Sequence, residues 1–131
     1  MALTPSSARQ SIICATASFT YADLATGVET PAVQVPQGAI VLGGFLVIDT
    51  AFNSGTSDTL TVGDATTADR YKAAINGQSA ALTALIPTGL EYTVQDSVTV
   101  TNTIVGAAPT AGAGRLVLYY IVDGRAAFSQ G

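Results

Sequence analysis

Histidine and tryptophan are absent from the sequence, and cysteine occurs once, at position 14. Without histidine, the chain lacks the most common general base at neutral pH, nearly all zinc sites and every Ser-His or Cys-His nucleophile pair. A single cysteine cannot form a disulfide within its own chain. Only carboxylate chemistry is left, so the sequence favours a non-enzymatic protein that needs no cofactor.

Charge is scarce as well. Asp, Glu, Lys and Arg make up 11% of the 131 residues, whereas an ordinary soluble domain carries about 25%. A surface this poor in charge would be adhesive if all of it faced water, so composition favours assembly with other chains. The net charge is −4 and the five basic residues are scattered. The sequence therefore predicts no binding of nucleic acid, which requires clustered cations.

Targeting signals are also missing. The first ten residues lack the basic-then-apolar order of a signal peptide, and no apolar segment has the length of a membrane span. We therefore expect synthesis in the cytoplasm and no membrane partner. Cys14 lies in an apolar run, residues 12–15, and is interpreted as a small buried side chain.

Two stretches of the sequence are apolar on both faces of a predicted strand. Residues 115–123 read Arg-Leu-Val-Leu-Tyr-Tyr-Ile-Val-Asp, and residues 39–48 contain no polar side chain. Strand alternation points neighbouring residues to opposite faces, so Tyr119 and Tyr120 are interpreted as one interface ring and one core ring. Both faces of such strands should be covered, the outer one by an arm, a loop or another subunit. The pair Gly43-Gly44 predicts a bulge or a close backbone approach.

Short alternating segments fill most of the remaining chain. Residues 10–21 and 97–104 predict half-buried strands, and the Ser/Thr face of the second should meet water or a polar partner. Residues 90–94 alternate in the same way. About eight strands separated by Gly, Pro and Asn loops predict an all-β, single-domain antiparallel β-sandwich, and the long connections favour a jelly roll. The domain spans residues 10–125, with a flexible N-terminal arm at 1–9 and a C-terminal tail at 126–131.

Carboxylates supply the remaining candidates for chemistry. Asp58, Asp64 and Asp69 lie around one turn and offer oxygen ligands for calcium, although their spacing matches no known calcium loop. Aspartates at turns more commonly bind nearby backbone N–H groups, and Asp69 is also positioned to pair with the adjacent Arg70. Glu91 and Asp96 could be paired as in a glycosidase, but no tryptophan platform accompanies them. The sequence thus predicts neither a metal site nor catalytic residues.

Two short motifs resemble a known family. The first reads Thr-Leu-Thr-Val-Gly-Asp at 59–64, followed by Ala-Asp-Arg-Tyr at 68–71, and the second reads Gly-Arg-Leu-Val-Leu-Tyr-Tyr-Ile-Val-Asp-Gly-Arg at 114–125. Together with the layout of residues 10–125, they resemble the jelly-roll decoration, or cement, proteins of tailed bacteriophage capsids. The resemblance implies a viral structural protein without catalytic groups. It also implies a place on the outer capsid surface of the virion, after synthesis in the host cytoplasm.

The resemblance further implies two partners, the major capsid protein of the shell and further copies of the chain in a homodimer or homotrimer. Members of the family commonly hold the shell through an extended terminus, which points to the arm and the tail. Self-association is expected through outer strand faces such as that of residues 39–48. The candidate capsid-contact or oligomer-interface residues are Leu3, Pro5, Arg9, Phe45, Val47, Tyr119, Arg125 and Phe128.

Two other functions are also compatible with the sequence. Jelly rolls also form carbohydrate-binding modules, although the absence of tryptophan removes the usual stacking platform. A low-copy tail or head-completion component would share the same origin as a decoration protein. Stable oligomers, stabilisation by oligosaccharides and copy number in particles distinguish the three functions.

Overall fold

The computed structural model of the protein describes residues 11–123. The predicted N-terminal arm and C-terminal tail fall outside this range, and with them Leu3, Pro5, Arg9, Arg125 and Phe128. Within it, no helix is long and apolar enough to cross a membrane.

The described residues form eight β-strands and one short 3-10 helix, Tyr21–Asp23. The strands are Ile13–Thr20 (β1), Thr30–Val35 (β2), Ala39–Thr50 (β3), Ser57–Asp64 (β4), Lys72–Asn76 (β5), Leu82–Ala84 (β6), Asp96–Val105 (β7) and Ala113–Val122 (β8). The longest of them, β3, β7 and β8, are rich in β-branched and aromatic residues, which suit a pleated, half-buried surface.

The strands are arranged as a jelly roll. One sheet has the order β1-β8-β3-β6 and the other has the order β2-β7-β4-β5. Every pair of neighbouring strands is antiparallel, and most connections cross from one sheet to the other. This is the double-sheet arrangement of two Greek keys. The predicted β-sandwich of about eight strands is confirmed.

A single apolar core lies between the two sheets. From the first sheet it receives residues such as Leu46, Ile48, Leu116 and Leu118, each exposed by 3% or less. The second sheet contributes Val35, Leu60, Val62, Val98 and Val100 with similar burial. Because alternate residues of a strand face opposite ways, this inward set fixes which side chains remain for the outer surfaces.

The two sides of the sandwich differ. At the β5/β6 side, backbone hydrogen bonds join the sheets: Ile86 donates to the Tyr71 carbonyl and Phe52 donates to the Gly77 carbonyl, at 2.9 and 2.8 Å. At the β1/β2 side no such ladder joins the described strands, and a cleft of about 340 Å³ opens between Ala17, Phe19 and Ala32. The sandwich is closed along one side and open along the other.

The predicted close approach at Gly43-Gly44 is confirmed. The register of β3 against β8 shifts between Val41 and Gly43. Both glycines have positive φ, +150° and +143°, which other residues rarely adopt. A Cβ atom on Gly44 would collide with the Val117 carbonyl oxygen, whereas one on Gly43 would meet nothing within 4 Å. Gly44 therefore permits the close contact of the two longest strands of its sheet.

Three sequence expectations are wrong in detail. Cys14 is exposed rather than buried, because alternation in β1 turns Ile13 and Ala15 inward. Residues 90–94 form no strand, only an isolated bridge from Glu91 to Ile40. Thr99 and Thr101 are buried, at 3% and 8% exposure, and within the described residues their hydroxyls meet neither water nor a polar partner.

The burial of Thr99 has a local cause. Its neighbour across the ladder is Gly63, and a Cβ atom there would collide with the Thr67 carbonyl oxygen. The turn after β4 therefore folds back over the outer surface of its own sheet beside Thr99. Alternation correctly places the Thr99 side chain on the outer face of the sheet. It cannot predict that the turn after β4 covers this face, because it does not specify the path of a loop.

Substitution of the two glycines should separate backbone strain from steric collision. We expect Gly43→Ala to lower the free energy of unfolding by about 1–3 kcal/mol, because only its backbone conformation is strained. Gly44→Ala carries the same strain plus the collision with Val117 and should cost a further 1–3 kcal/mol or so. Chemical denaturation of both variants measures the difference, and equal losses would contradict the close approach.

Candidate assembly surface

Several large apolar side chains are exposed on the β1-β8-β3-β6 sheet. Side chains of β3, β6 and β8 that point away from the core form one patch, which we call the outer apolar face. Its members are Leu42, Phe45, Val47, Leu82, Val117, Tyr119 and Ile121. Both strands that the sequence marked as apolar on two faces contribute to it.

An aromatic pair lies at the centre of this face. The rings of Phe45 and Tyr119 are 6.3 Å apart between centroids and meet edge to face, at 71°. Leu42, Leu82 and Tyr119 remain 41%, 60% and 36% exposed. Tyr120, the next residue, is 9% exposed and belongs to the core. The expectation of one core ring is therefore confirmed for Tyr120, and Tyr119 faces outward.

Charged groups border the outer apolar face. At one end Arg115 binds Asp49 through two hydrogen bonds, Nε to Oδ2 at 2.9 Å and Nη2 to Oδ1 at 3.0 Å. Both side chains are well exposed, so the pair contributes little to stability. At the other end, a hydrogen bond with the Asp123 carboxyl raises the pKa of Glu91. An apolar centre with a polar rim is the usual organisation of a protein–protein contact.

The opposite outer surface, on the β2-β7-β4-β5 sheet, has different chemistry. Hydroxyl side chains pair across β4 and β7 there, Thr59 with Thr103 and Thr61 with Thr101. Thr103 is exposed, and no aromatic side chain of these two strands accompanies it. Thr101 is buried, so the protein presents an apolar surface on one sheet and a hydroxyl-rich surface, at Thr59, Thr61 and Thr103, on the other.

Asp58 is the centre of a buried polar cluster at the start of β4. Its carboxylate is 1% exposed and accepts four hydrogen bonds. Oδ1 accepts from the Ser54 hydroxyl at 2.6 Å and from Asn102 at 3.0 Å, while Oδ2 accepts from the Ser54 amide at 3.0 Å and from Gln78 at 3.1 Å. Burial alone would raise the pKa of Asp58, but these hydrogen bonds outweigh it and lower the pKa.

Asp64 is the centre of a second cluster at the end of the same strand. It forms an ion pair with Arg70, accepts the Thr67 amide at 2.8 Å and accepts the Tyr92 hydroxyl at 2.8 Å. Burial acts to raise the pKa of Asp64, but the bonds from Arg70, Thr67 and Tyr92 lower it. Burial and the bonds to Tyr71 and Asp64 raise the pKa of Tyr92. Arg70 therefore pairs with Asp64 and not with the adjacent Asp69.

These clusters account for two of the three aspartates considered as calcium ligands. Asp58 and Asp64 lie at opposite ends of β4 and each is saturated by protein donors. Among residues 11–123, no three side chains of the Asp, Glu, Cys or His type come together as a metal site. The sequence did contain a sign of both clusters, since Asp58 and Asp64 share the parity of the inward-facing Leu60 and Val62.

Glu91 and Asp96, the other acidic pair, line one shallow depression of about 250 Å³ together with Asp64, Arg70 and Tyr92. Asp96 accepts the amide of Ser97 at 2.7 Å, and Glu91 is exposed. The aromatic ring of this depression, Tyr92, is only 5% exposed and holds its hydroxyl against Asp64. It offers no free face on which a sugar ring could stack.

Comparison with solved structures finds this fold in phage capsids. A chain of the cyanophage Pam1 capsid asymmetric unit is 25% identical with a TM-score of 0.68, and the match covers 93% of this chain and 92% of that one. The chain has the fold of phage capsid chains. The capsid of Ralstonia phage GP4 contains a chain 20% identical with a TM-score of 0.66, covering 92% and 90%.

A third match comes from the acidic stable capsid of the Helicobacter pylori bacteriophage KHP30. That chain is 17% identical with a TM-score of 0.60, and the match covers 86% of this chain and 93% of that one. No protein-family model and no curated protein matches the sequence. The shared fold agrees with the resemblance drawn from the sequence and supports a structural role in a phage particle.

The Asp58 cluster should make the protein sensitive to acid. Because folding lowers the pKa of Asp58, its stabilisation is complete well above the ordinary value of 3.8 and is lost as pH falls through the folded value. We expect Asp58→Asn to lower the free energy of unfolding at pH 7 by about 2–4 kcal/mol, since an amide group would face donors on every side.

The difference between the Asp58→Asn variant and the native protein should shrink as the pH falls below 3.8 and the native carboxylate becomes protonated. Denaturant titrations at neutral and acidic pH measure this convergence. Asp69→Asn is the matched control, because Asp69 is exposed, and it should change stability by less than about 0.5 kcal/mol. A pH-independent loss in Asp58→Asn would contradict the assignment.

Proposed function

We propose that this chain is a non-enzymatic structural protein that decorates a bacteriophage capsid and cements it. It binds the major capsid protein on the outer surface of the shell and also associates with copies of itself. The observation that carries the proposal is the outer apolar face, displayed by a fold that occurs in phage capsids.

The outer apolar face suits a permanent partner better than solvent. Leu42, Leu82 and Tyr119 are large apolar side chains exposed on one sheet, and burying such a side chain contributes about 1.5–3 kcal/mol. Grouped apolar exposure of this kind marks an interaction surface in a soluble domain. The sequence predicted self-association through this face, and its residues were named as either capsid or oligomer contacts. We assign it to the shell, because a broad, low-charge surface suits a protein held on a larger surface.

Cementing requires no chemistry of its own. A protein that binds only the assembled shell stabilises it by mass action, and a protein that touches two neighbouring subunits gains further through effective concentration. The clusters at Asp58 and Asp64 fit this role, because they hold loops in place and engage both carboxylates in hydrogen bonds within the fold.

The terminal segments are proposed as additional shell contacts. Leu3, Pro5 and Arg9 in the arm, and Arg125 and Phe128 in the tail, remain candidates for this role. Phe45, Val47 and Tyr119 supply the corresponding contact from the folded domain, since all three lie on the outer apolar face.

Attachment to particles tests the proposal directly. Quantitative mass spectrometry of purified particles should give a copy number comparable to that of the major capsid protein. Tyr119→Asp should reduce binding to undecorated shells by about tenfold or more, because a carboxylate would be buried in an apolar contact. Thr103→Asp is the matched control on the hydroxyl-rich surface and should bind like the native protein.

Other outcomes would redirect the assignment. A handful of copies per particle would favour a tail or head-completion component. Absence from particles, combined with a rise in melting temperature on adding oligosaccharides, would favour a carbohydrate-binding module. Equal loss of binding in Tyr119→Asp and Thr103→Asp would show that the outer apolar face is not the contact.

Deletion of the arm tests its separate contribution. Because the first strand begins at Ile13, removal of residues 1–9 should leave the melting temperature within a few degrees of the native value, roughly the effect of 0.5 kcal/mol. Binding to emptied capsids should weaken. Equal affinities of the truncated and complete chains would exclude the arm as a shell contact.

A further inference from the structure

The jelly roll has four edge strands, and three of them are protected against pairing with another chain. β2 contains Pro31 and a register shift after it. β6 is only three residues long. β5 has Ala74 in a left-handed conformation, φ +56°, and lies at the side where hydrogen bonds from residues 52 and 86 join the sheets. Proline, bulges, short length and coverage are the recognised means of preventing edge-to-edge association.

The fourth edge strand, β1, has none of these protections. It is eight residues long, and its sequence, Ile-Cys-Ala-Thr-Ala-Ser-Phe-Thr, contains no charge, proline or glycine. Its register with β8 runs without interruption from Ile13 to Thr20. Among the described residues it pairs with β8 alone, so half of its backbone groups face away from the sheet. A long, regular, uncharged edge is a template for a further strand.

We propose that β1 pairs with β1 of a second copy, antiparallel about Thr16, to form a continuous sheet of eight strands across a two-fold axis. This inference rests on the self-association in the proposed function and names its surface. A second copy of β1 is a suitable partner, because the strand contains no charged residue and its pairing with an identical strand brings no like charges together. An isologous contact of this type closes as a dimer.

The side chains of β1 suit this register. Directly opposite residues point to the same face of an antiparallel pair. Pairing about Thr16 places Thr16 against Thr16 of the second copy on the outer side, where the native side chain is exposed. On the inner side it places Ile13 of one copy opposite Phe19 of the other. Phe19 and Ala17 line the cleft of about 340 Å³ between β1 and β2, so the second copy would cover the open side of the sandwich.

The pairing also extends the outer apolar face. β1 neighbours β8, which carries Tyr119 on that face opposite Cys14. Two sheets joined at β1 would present two copies of the outer apolar face on the same side, and such a dimer could bind two shell subunits at once. A single strand edge buries less than a standard interface. We therefore expect a weak dimer in free solution and a much stronger one on the shell, through effective concentration.

Charge substitution at position 16 tests the register. Sedimentation velocity of the full chain from about 1 µM to about 1 mM should show a concentration-dependent dimer. Thr16→Lys and Thr16→Glu should each weaken it by roughly tenfold, because like charges would meet at the two-fold axis. A mixture of the two variants should restore the dimer. Thr103→Lys, an exposed threonine of the other sheet, is the control and should dimerise like the native chain.

Circular dichroism and melting curves establish that each variant is folded, and Ser18→Lys, also exposed on β1, replaces Thr16→Lys if that variant does not fold. A native chain that stays monomeric, a dimer unaffected by either charge, or a mixture that does not recover would each overturn the inference. If the native chain is monomeric yet Thr16→Lys loses shell binding, the edge belongs to a shell strand and not to a second copy. If the native chain binds the shell but forms no dimer, only this inference is overturned, and the proposed role as a decoration protein is retained.

Discussion

The contact on which the rest of the fold depends is the pairing of β3 with β8. These strands lie at the centre of their sheet, and their ladder extends from Ala39 to Thr50. Their inner faces supply much of the core, and their outer faces form the outer apolar face. The ladder closes only because Gly44 allows the backbones to approach where a Cβ atom would strike the Val117 carbonyl. Both the core and the surface proposed for assembly therefore require a residue without a side chain at position 44.

The second constraint is electrostatic, and it lies beneath β4. Two carboxylates share the inward parity of Leu60 and Val62, so the fold must bury both. It does so with unlike partners, an ion pair and a tyrosine hydroxyl for Asp64, and only neutral donors for Asp58. Each cluster ties a loop distant in sequence to one strand. The fold is therefore anchored at both ends of β4 by carboxylates whose pKa their hydrogen-bond partners lower.

The sequence predicted the architecture well, because the strands of a jelly roll are marked by an alternation of apolar and polar residues with a period of two. The strands around Leu116 and Val98 and the core position of Tyr120 follow from parity and composition, whereas the contact of Phe45 with Tyr119 depends on β3 lying beside β8. The errors come from features that parity does not encode. Cys14 was assigned from an apolar run instead of from its alternation, and Thr99 is covered by the path of a turn. The partners of Asp58 could not be predicted, because Gln78 and Asn102 are distant from it in sequence. Whether β1 is protected at its edge becomes visible only when the four edges are compared in three dimensions.

The chain enters the jelly roll through β1 and leaves it through β8, and these two strands are antiparallel neighbours with Ile13 opposite Tyr120. Entry and exit therefore lie at the same end of one ladder. A tensile load applied through both chain ends would open this ladder one rung at a time, like a zipper, whereas a load along the strands would have to shear many hydrogen bonds together. The ladder between the first and last strands therefore resists a load along the strands better than a load that pulls Ile13 and Val122 apart.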